Sequence, residues 1–133
     1  MLYLLDTNTA SFVIKGNAPR VRHRLAGIPL SQTAISTVTE AELLFGVARR
    51  PAHSRLRFVV REFLARIEVL PWDRDAAAAY ATLRSRLESV GVTMGNLDMM
   101  IAAHALALGS VLVTNDPAFA RIKQLKIEDW AKP

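Results

Sequence analysis

Cysteine is absent from the 133 residues, which removes zinc ribbons, thiol catalysis and disulfide frameworks together. No H-E-x-x-H pair is present either, so the usual helical zinc site is missing. Long apolar runs are lacking too. Met1 to Leu5 stops at Asp6, far short of a secretion-signal core and without a basic flank. The most apolar stretch, Met99 to Val113, holds His104 and Gly109 and is shorter than the ~20 residues a membrane span needs. Only 22% of the residues are charged and 51% are hydrophobic, enough apolar material for a core and too much for a disordered segment. The expectation is a cytoplasmic protein with no membrane partner. It comprises one domain, residues 1–133, large enough to fold without a disulfide or structural metal.

What is present in excess is arginine, and it is unevenly placed. Residues 1–66 hold ten Lys+Arg against four Asp+Glu, whereas residues 67–133 hold seven against eight. Arg20, Arg22, Arg24, Arg49, Arg50, Arg55, Arg57, Arg61 and Arg66 make the first half basic. Guanidinium groups fork onto phosphate oxygens and release counterions, so such a face suits a polyanion; solvated helix faces account for the same composition.

Hydrophobic periodicity and chain breakers predict strands at Leu2–Leu5, Thr33–Ile35, Val69–Leu70, Val111–Val113 and Lys126–Ile127. Helices are predicted over Thr9–Lys15, Pro19–Leu25, Thr39 to Pro51, Ser54–Ile67, Asp73–Val90 and Leu97–Leu108. Strands separated by helices imply crossovers, hence an α/β three-layer fold around a parallel sheet. The order of the strands is not readable this way.

In such sheets ligands bind beyond the carboxyl ends of the strands. Asp6 directly follows the first strand, and Asp116 follows Val111–Val113 with only Thr114 and Asn115 between. Glu42 and Asp98 fall in the first turns of predicted helices, which begin above those same ends. All four carboxylates are therefore expected at one edge of the sheet. Singly, each has a local explanation: Thr39 to Glu42 fits a capping box, Asp98 complements a helix dipole, and Asp6 and Asp116 fit turns or caps. Together these explanations weaken, because four carboxylates in one cleft repel unless a cation compensates them.

The cation that fits is Mg²⁺, or Mn²⁺: both take oxygen ligands, and nothing here favours zinc. Such ions activate a water and neutralise charge on a phosphodiester. Ser36, Thr37 and Thr114 are candidate hydroxyl partners for the carboxylates or a metal-bound water, and helix capping or strand hydroxyls account for them at least as well. His104 is read as a core or interface residue, and His23 and His53 as surface positions. Glu40, Asp73, Asp75, Glu88 and Asp129 are read as solvated or capping, and Trp72 and Trp130 as core lids.

Four patches carry a family resemblance: Tyr3-Leu4-Leu5-Asp6-Thr7-Asn8; Ile35 to Leu43 followed by Gly46; Met94 to Ala105; and Leu112-Val113-Thr114-Asn115-Asp116 with Phe119. In this order and spacing the chain resembles a PIN-domain ribonuclease of the VapC toxin type along its whole length. The resemblance implies a PIN-like α/β/α fold with a short, mainly parallel sheet. It implies Asp6, Glu42 and Asp98 as core carboxylates holding Mg²⁺ or Mn²⁺, Asp116 as a more variable fourth, and Thr114 as a hydroxyl beside the site. It further implies an endoribonuclease acting on a structured RNA such as tRNA, a homodimer, and a hetero-oligomer with a cognate VapB-like antitoxin whose C-terminal segment occupies a groove. Arg84 and Arg86 are expected to help guide the RNA. The competing reading is a non-catalytic acidic-pocket or PIN-like module that only binds a partner. A receiver-type pocket fits poorly, since Lys123 and Lys126 lie late. An aspartyl phosphatase lacks its second aspartate in Asp6-Thr7-Asn8, and a scaffold would be expected to have lost a core acid.

Overall fold

Strands of three or four residues suffice in the middle of this sheet because both of their faces are covered. The computed structural model describes residues 1–52 and 54–133; His53, expected at the surface, lies outside them. The strands are β1 (Tyr3–Leu5), β2 (Thr33–Ser36), β3 (Glu68–Leu70), β4 (Val111–Val113) and β5 (Lys126–Glu128). They form one sheet in the order β3-β2-β1-β4-β5. Every neighbouring pair is parallel. The crossovers contain α1 (Thr7–Lys15), α2 (Pro19–Ala26), α3 (Thr37–Ala48), α4 (Arg55–Arg66), α5 (Arg74–Ser89) and α6 (Asn96–Leu108). Among the described residues no helix is long and apolar enough to cross a membrane.

Side chains alternate across the sheet with period two. Leu4, Ala34 and Leu112 face one layer, where they pack with Leu83 and Leu87 of α5, most of the apolar face of α6, and Phe119. Leu5, Ile35 and Val113 face the other, with Ala10, Val21, Leu43, Val47, Val60 and Trp130 from α1 to α4 and the C-terminal segment. This is the expected three-layer arrangement. Gly16 and Gly109 end α1 and α6 in the left-handed region, at φ 67° and 63°, which other residues enter only at a steric cost.

One predicted boundary moves in a way that bears on the site. The capping box at Thr39–Glu42 does not form, because α3 begins two residues earlier. Its N-cap is Ser36, whose Oγ accepts from the Val38 amide at 3.1 Å. Glu42 is thus in the second turn rather than the first, and is released from any capping duty.

Candidate active site

The sheet places β2 and β3 on one side of β1 and β4 and β5 on the other. The chain changes direction there, and in parallel sheets the crevice at such a switch point receives the ligand. Asp6 stands at its mouth. Its amide donates to the Val113 carbonyl at 3.0 Å, stitching the ends of β1 and β4 together. Its Oδ1 accepts from the Thr9 amide at 2.8 Å, so it also caps α1. The cap predicted from the local sequence is real, but it does not account for the residue's burial. Only 4% of Asp6 is exposed, and burial pushes its carboxyl above the ordinary value. The Thr114 hydroxyl and Thr9 oppose that shift, and the charge of Asp116 adds to it.

Asp98 is the third residue of α6, where its charge complements the helix dipole. Burial nevertheless raises its carboxyl, and so, in decreasing order, do the charges of Asp116, Glu42 and Asp6. Asp98 therefore senses all three other acids. Asp116 sits where β4 has ended: its amide donates to Thr114 Oγ1 at 3.0 Å, and its Oδ1 accepts from the Ala118 amide at 2.9 Å. That bond caps a short 3-10 turn over Pro117–Arg121. Glu42 is held from the side of β1, because the Thr7 hydroxyl donates to its Oε1 at 2.6 Å.

The four acids are therefore neighbours without being in contact. In the side-chain conformations they adopt, no three His, Asp or Glu side chains among the described residues form a ready chelate. Nor does any described Lys or Arg form an ion pair with them; the pairs present are Arg24–Glu128, Arg66–Glu62 and Arg84–Glu88. Mutual repulsion and burial without a protein cation leave a deficit of positive charge. The donors on offer are all oxygens, which matches a hard divalent cation.

Thr7 and Thr39 carried no functional reading in the sequence. Their hydroxyls lie 3.2 Å apart across the start of α1 and the middle of the first turns of α3, with Glu42 on Thr7. The signal that could have found Thr7 was its position directly after Asp6, where its side chain faces the next element over. Thr7→Val should keep the fold, costing about 1 kcal/mol of stability for the lost bond, and, on the endoribonuclease expectation above, should lower RNA cleavage roughly tenfold by letting Glu42 swing. Melting curves and cleavage rates measured on the same preparation separate the two effects; unchanged turnover would mean that Thr7 does not position Glu42.

The remaining expectations divide. His104 is a core residue, 2% exposed, with Nδ1 2.8 Å from Ser36 Oγ; burial lowers its pKa. Ser36 therefore serves α3 and His104 rather than a carboxylate. Thr37 Oγ1 accepts from the Trp72 amide at 3.1 Å. Trp130 is buried and packs on Tyr3, with ring centroids 5.5 Å apart. Asp73 caps α5, as expected. Asp129 follows β5 directly, which the sequence reading did not anticipate, yet its Oδ1 accepts from the Ala131 amide as a capping residue does. Arg84 lines a hollow shared with Asn96 at the start of α6, held by the Tyr80 hydroxyl and Glu88. Arg86 instead lines a hollow formed by α5 alone, with Ser85 and Ser89.

A parallel sheet with acids at its switch point matches the PIN-like fold that the sequence resemblance implied. The PIN domain family model matches residues 3–125, and the chain belongs to that family. The relatives that it matches over nearly its whole length include VapC proteins. The tRNA(fMet)-specific endonuclease VapC of Salmonella typhimurium is 40% identical over 129 residues, covering 96% of this chain and 97% of the relative. Ribonuclease VapC2 of Rickettsia felis is 34% identical, covering 99% and 100%. Among solved structures, DNA-bound VapBC from Salmonella typhimurium superimposes with a TM-score of 0.90 at 40% identity, covering 98% of this chain and 99% of that one.

Proposed function

We propose that this chain is a metal-dependent endoribonuclease, the toxin of a toxin–antitoxin pair. The observation that carries the reading is the meeting of Asp6, Glu42, Asp98 and Asp116 at one switch point with no ion pair to them among the described residues. Asp6, Glu42, Asp98 and Asp116 would hold Mg²⁺, with Mn²⁺ as the alternative. When bound, the ion supplies charge neutralisation at the phosphodiester and activation of the attacking water.

The chain's own residues do the positioning. Asp6 is fixed by the α1 cap and by the β1–β4 stitch, so its carboxylate has little freedom. Thr7 orients Glu42. Thr114, 2% exposed, accepts from the amide of Asp116, and its hydroxyl opposes the upward shift of the Asp6 carboxyl, so one side chain serves two of the acids. Arginines of the first half of the chain supply counter-charge to the RNA backbone. The relatives named for tRNA cleavage support a structured RNA as substrate, and VapBC complexes support a VapB-like antitoxin as partner. Family membership supports a homodimer acting in the cytoplasm.

The test is incubation of purified, partner-free chain with total cellular RNA in Mg²⁺, Mn²⁺ or EDTA. Discrete products that require metal are expected. Either ion at a hundred times its dissociation constant should also stabilise the fold by about 2.7 kcal/mol, visible as a higher melting temperature. Folded protein that neither cleaves RNA nor responds to metal would support the partner-binding module instead.

A further inference from the structure

Two hydrogen-bonded links join the helix that carries Glu42 to the helix that carries Asp98. Ser36, the N-cap of α3, has no exposed surface, and its Oγ lies 2.8 Å from Nδ1 of His104 on α6. The next residue, Thr37, reaches α6 through Trp72, whose amide donates to Thr37 Oγ1 at 3.1 Å. The Trp72 indole Nε1 in turn donates to the Met100 carbonyl at 2.9 Å. Met100 and His104 stand one turn apart on the same side of α6, so both links tie that helix to the head of α3. Sheet geometry sends Ser36 there. Ala34, two positions earlier in β2, faces the layer of α5 and α6, and side chains repeat with period two.

Local structure does not require the His104 link. The cap of α3 is complete without it, since Ser36 Oγ already accepts from the Val38 amide at 3.1 Å. The buried face of α6 is otherwise apolar, with Met99, Ile101, Ala102, Ala103 and Ala105. A histidine 2% exposed among them bears a desolvation cost that an apolar residue would not. Asp98, meanwhile, has no hydrogen bond to its side chain among the described residues, so its carboxylate goes where α6 goes. Glu42 lies six residues beyond Ser36 and Asp98 six before His104, about 9 Å of helix in each case. A displacement at the links is therefore carried along both helices to the two carboxylates.

Resting on the ribonuclease reading above, we infer that His104 and Trp72 are positioning residues, which fix α6 against α3 and so set the gap between Asp98 and Glu42 in which the divalent cation is held. His104 acts through Ser36, and Trp72 through Thr37 and Met100. Hydrogen bonds one layer behind the ligands commonly govern metal affinity in this way.

The test measures Mn²⁺ binding to the partner-free full chain, from the paramagnetic resonance of the free ion, and RNA cleavage by the same preparation. His104→Phe keeps a buried ring but loses the bond. It should bind Mn²⁺ about tenfold more weakly and lose about tenfold in kcat, with KM for RNA unchanged. His104→Asn carries an amide at the place of Nδ1 and should recover most of both losses. Trp72→Phe keeps an aromatic ring and the amide bonded to Thr37 but removes the indole N–H. Its Mn²⁺ affinity should also fall, by about tenfold. Val21→Ala, at a position 1% exposed on α2 in the opposite layer, lowers stability without touching either link and should bind Mn²⁺ as wild type does. Wild-type Mn²⁺ affinity in His104→Phe or Trp72→Phe overturns the proposal for that residue. An equal loss in Val21→Ala, or no recovery with asparagine, reduces His104 to ordinary packing. If His104→Phe does not fold, His104→Gln replaces it, because its amide lies one carbon beyond the place of Nδ1; affinity equal to that of His104→Asn then overturns the proposal. Wild-type protein that neither binds Mn²⁺ nor cuts RNA overturns the ribonuclease reading itself, a separate result seen before any variant is made.

Discussion

Asp98→Asn should lower metal-dependent RNA cleavage about 10³-fold, equivalent to ~4 kcal/mol of transition-state stabilisation. Asparagine keeps the size of the side chain and removes only its charge, so the first turn of α6 is preserved. The same substitution should make the metal-free protein melt at a higher temperature, because burial and the charges of Asp116, Glu42 and Asp6 all disfavour ionised Asp98. The sign of the pH dependence follows from linkage. A carboxyl whose folded pKa is raised binds its proton more tightly when folded. The stability gained is complete below the ordinary value of 3.8 and is lost as pH rises through the raised one. Wild type and Asp98→Asn should therefore melt nearly together in acid, with the variant pulling ahead toward neutral pH. A gap that does not change with pH would argue against repulsion among the four acids, and full cleavage by the variant would remove Asp98 from the site.

The second large effect is expected on the other side of Asp116. Phe119 is 1% exposed and lies in the core shared by α5 and α6. Phe119→Ala should cost about 3–5 kcal/mol, a large part of the ~5–15 kcal/mol that a domain has in total. The buried Phe119 ring also anchors to the core the 3-10 turn that Asp116 caps. The loss should therefore lower metal affinity as well as stability. Chemical denaturation measures the first quantity and a Mn²⁺ titration of the folded variant the second. Phe58→Ala, at a position 61% exposed, is the comparison and should shift stability by less than about 1 kcal/mol. A similar small shift for Phe119→Ala would contradict the packing described here.

Element types were legible in the sequence because each rests on a local signal. Glycine after Lys15 and after Leu108 marks helix ends, and the apolar runs before Asp6 and Thr114 mark buried strands. The candidate acids were legible for the same reason, since two of them stand directly beyond those runs. The start of α3 was misplaced because two hydroxyl residues, Ser36 and Thr39, offered competing caps three positions apart. Local sequence cannot rank them; the pairing of β2 with β3 carries the strand to Ser36 and settles the choice.

Chain composition and periodicity alone determined that this protein alternates strands and helices, has no cysteine for a disulfide or a thiolate metal site, and holds acids where strands end. The positive charge clustered in its first half was equally plain. Only the tertiary structure decided that β4 inserts beside β1, bringing Asp6 and Thr114 together across more than a hundred residues. It also decided that Thr7 reaches Glu42 and that His104 reaches Ser36. Those are long-range contacts between parallel strands and crossover helices. Their geometry depends on strand order and on which helix packs on which face, and neither quantity is encoded in the spacing of neighbouring residues.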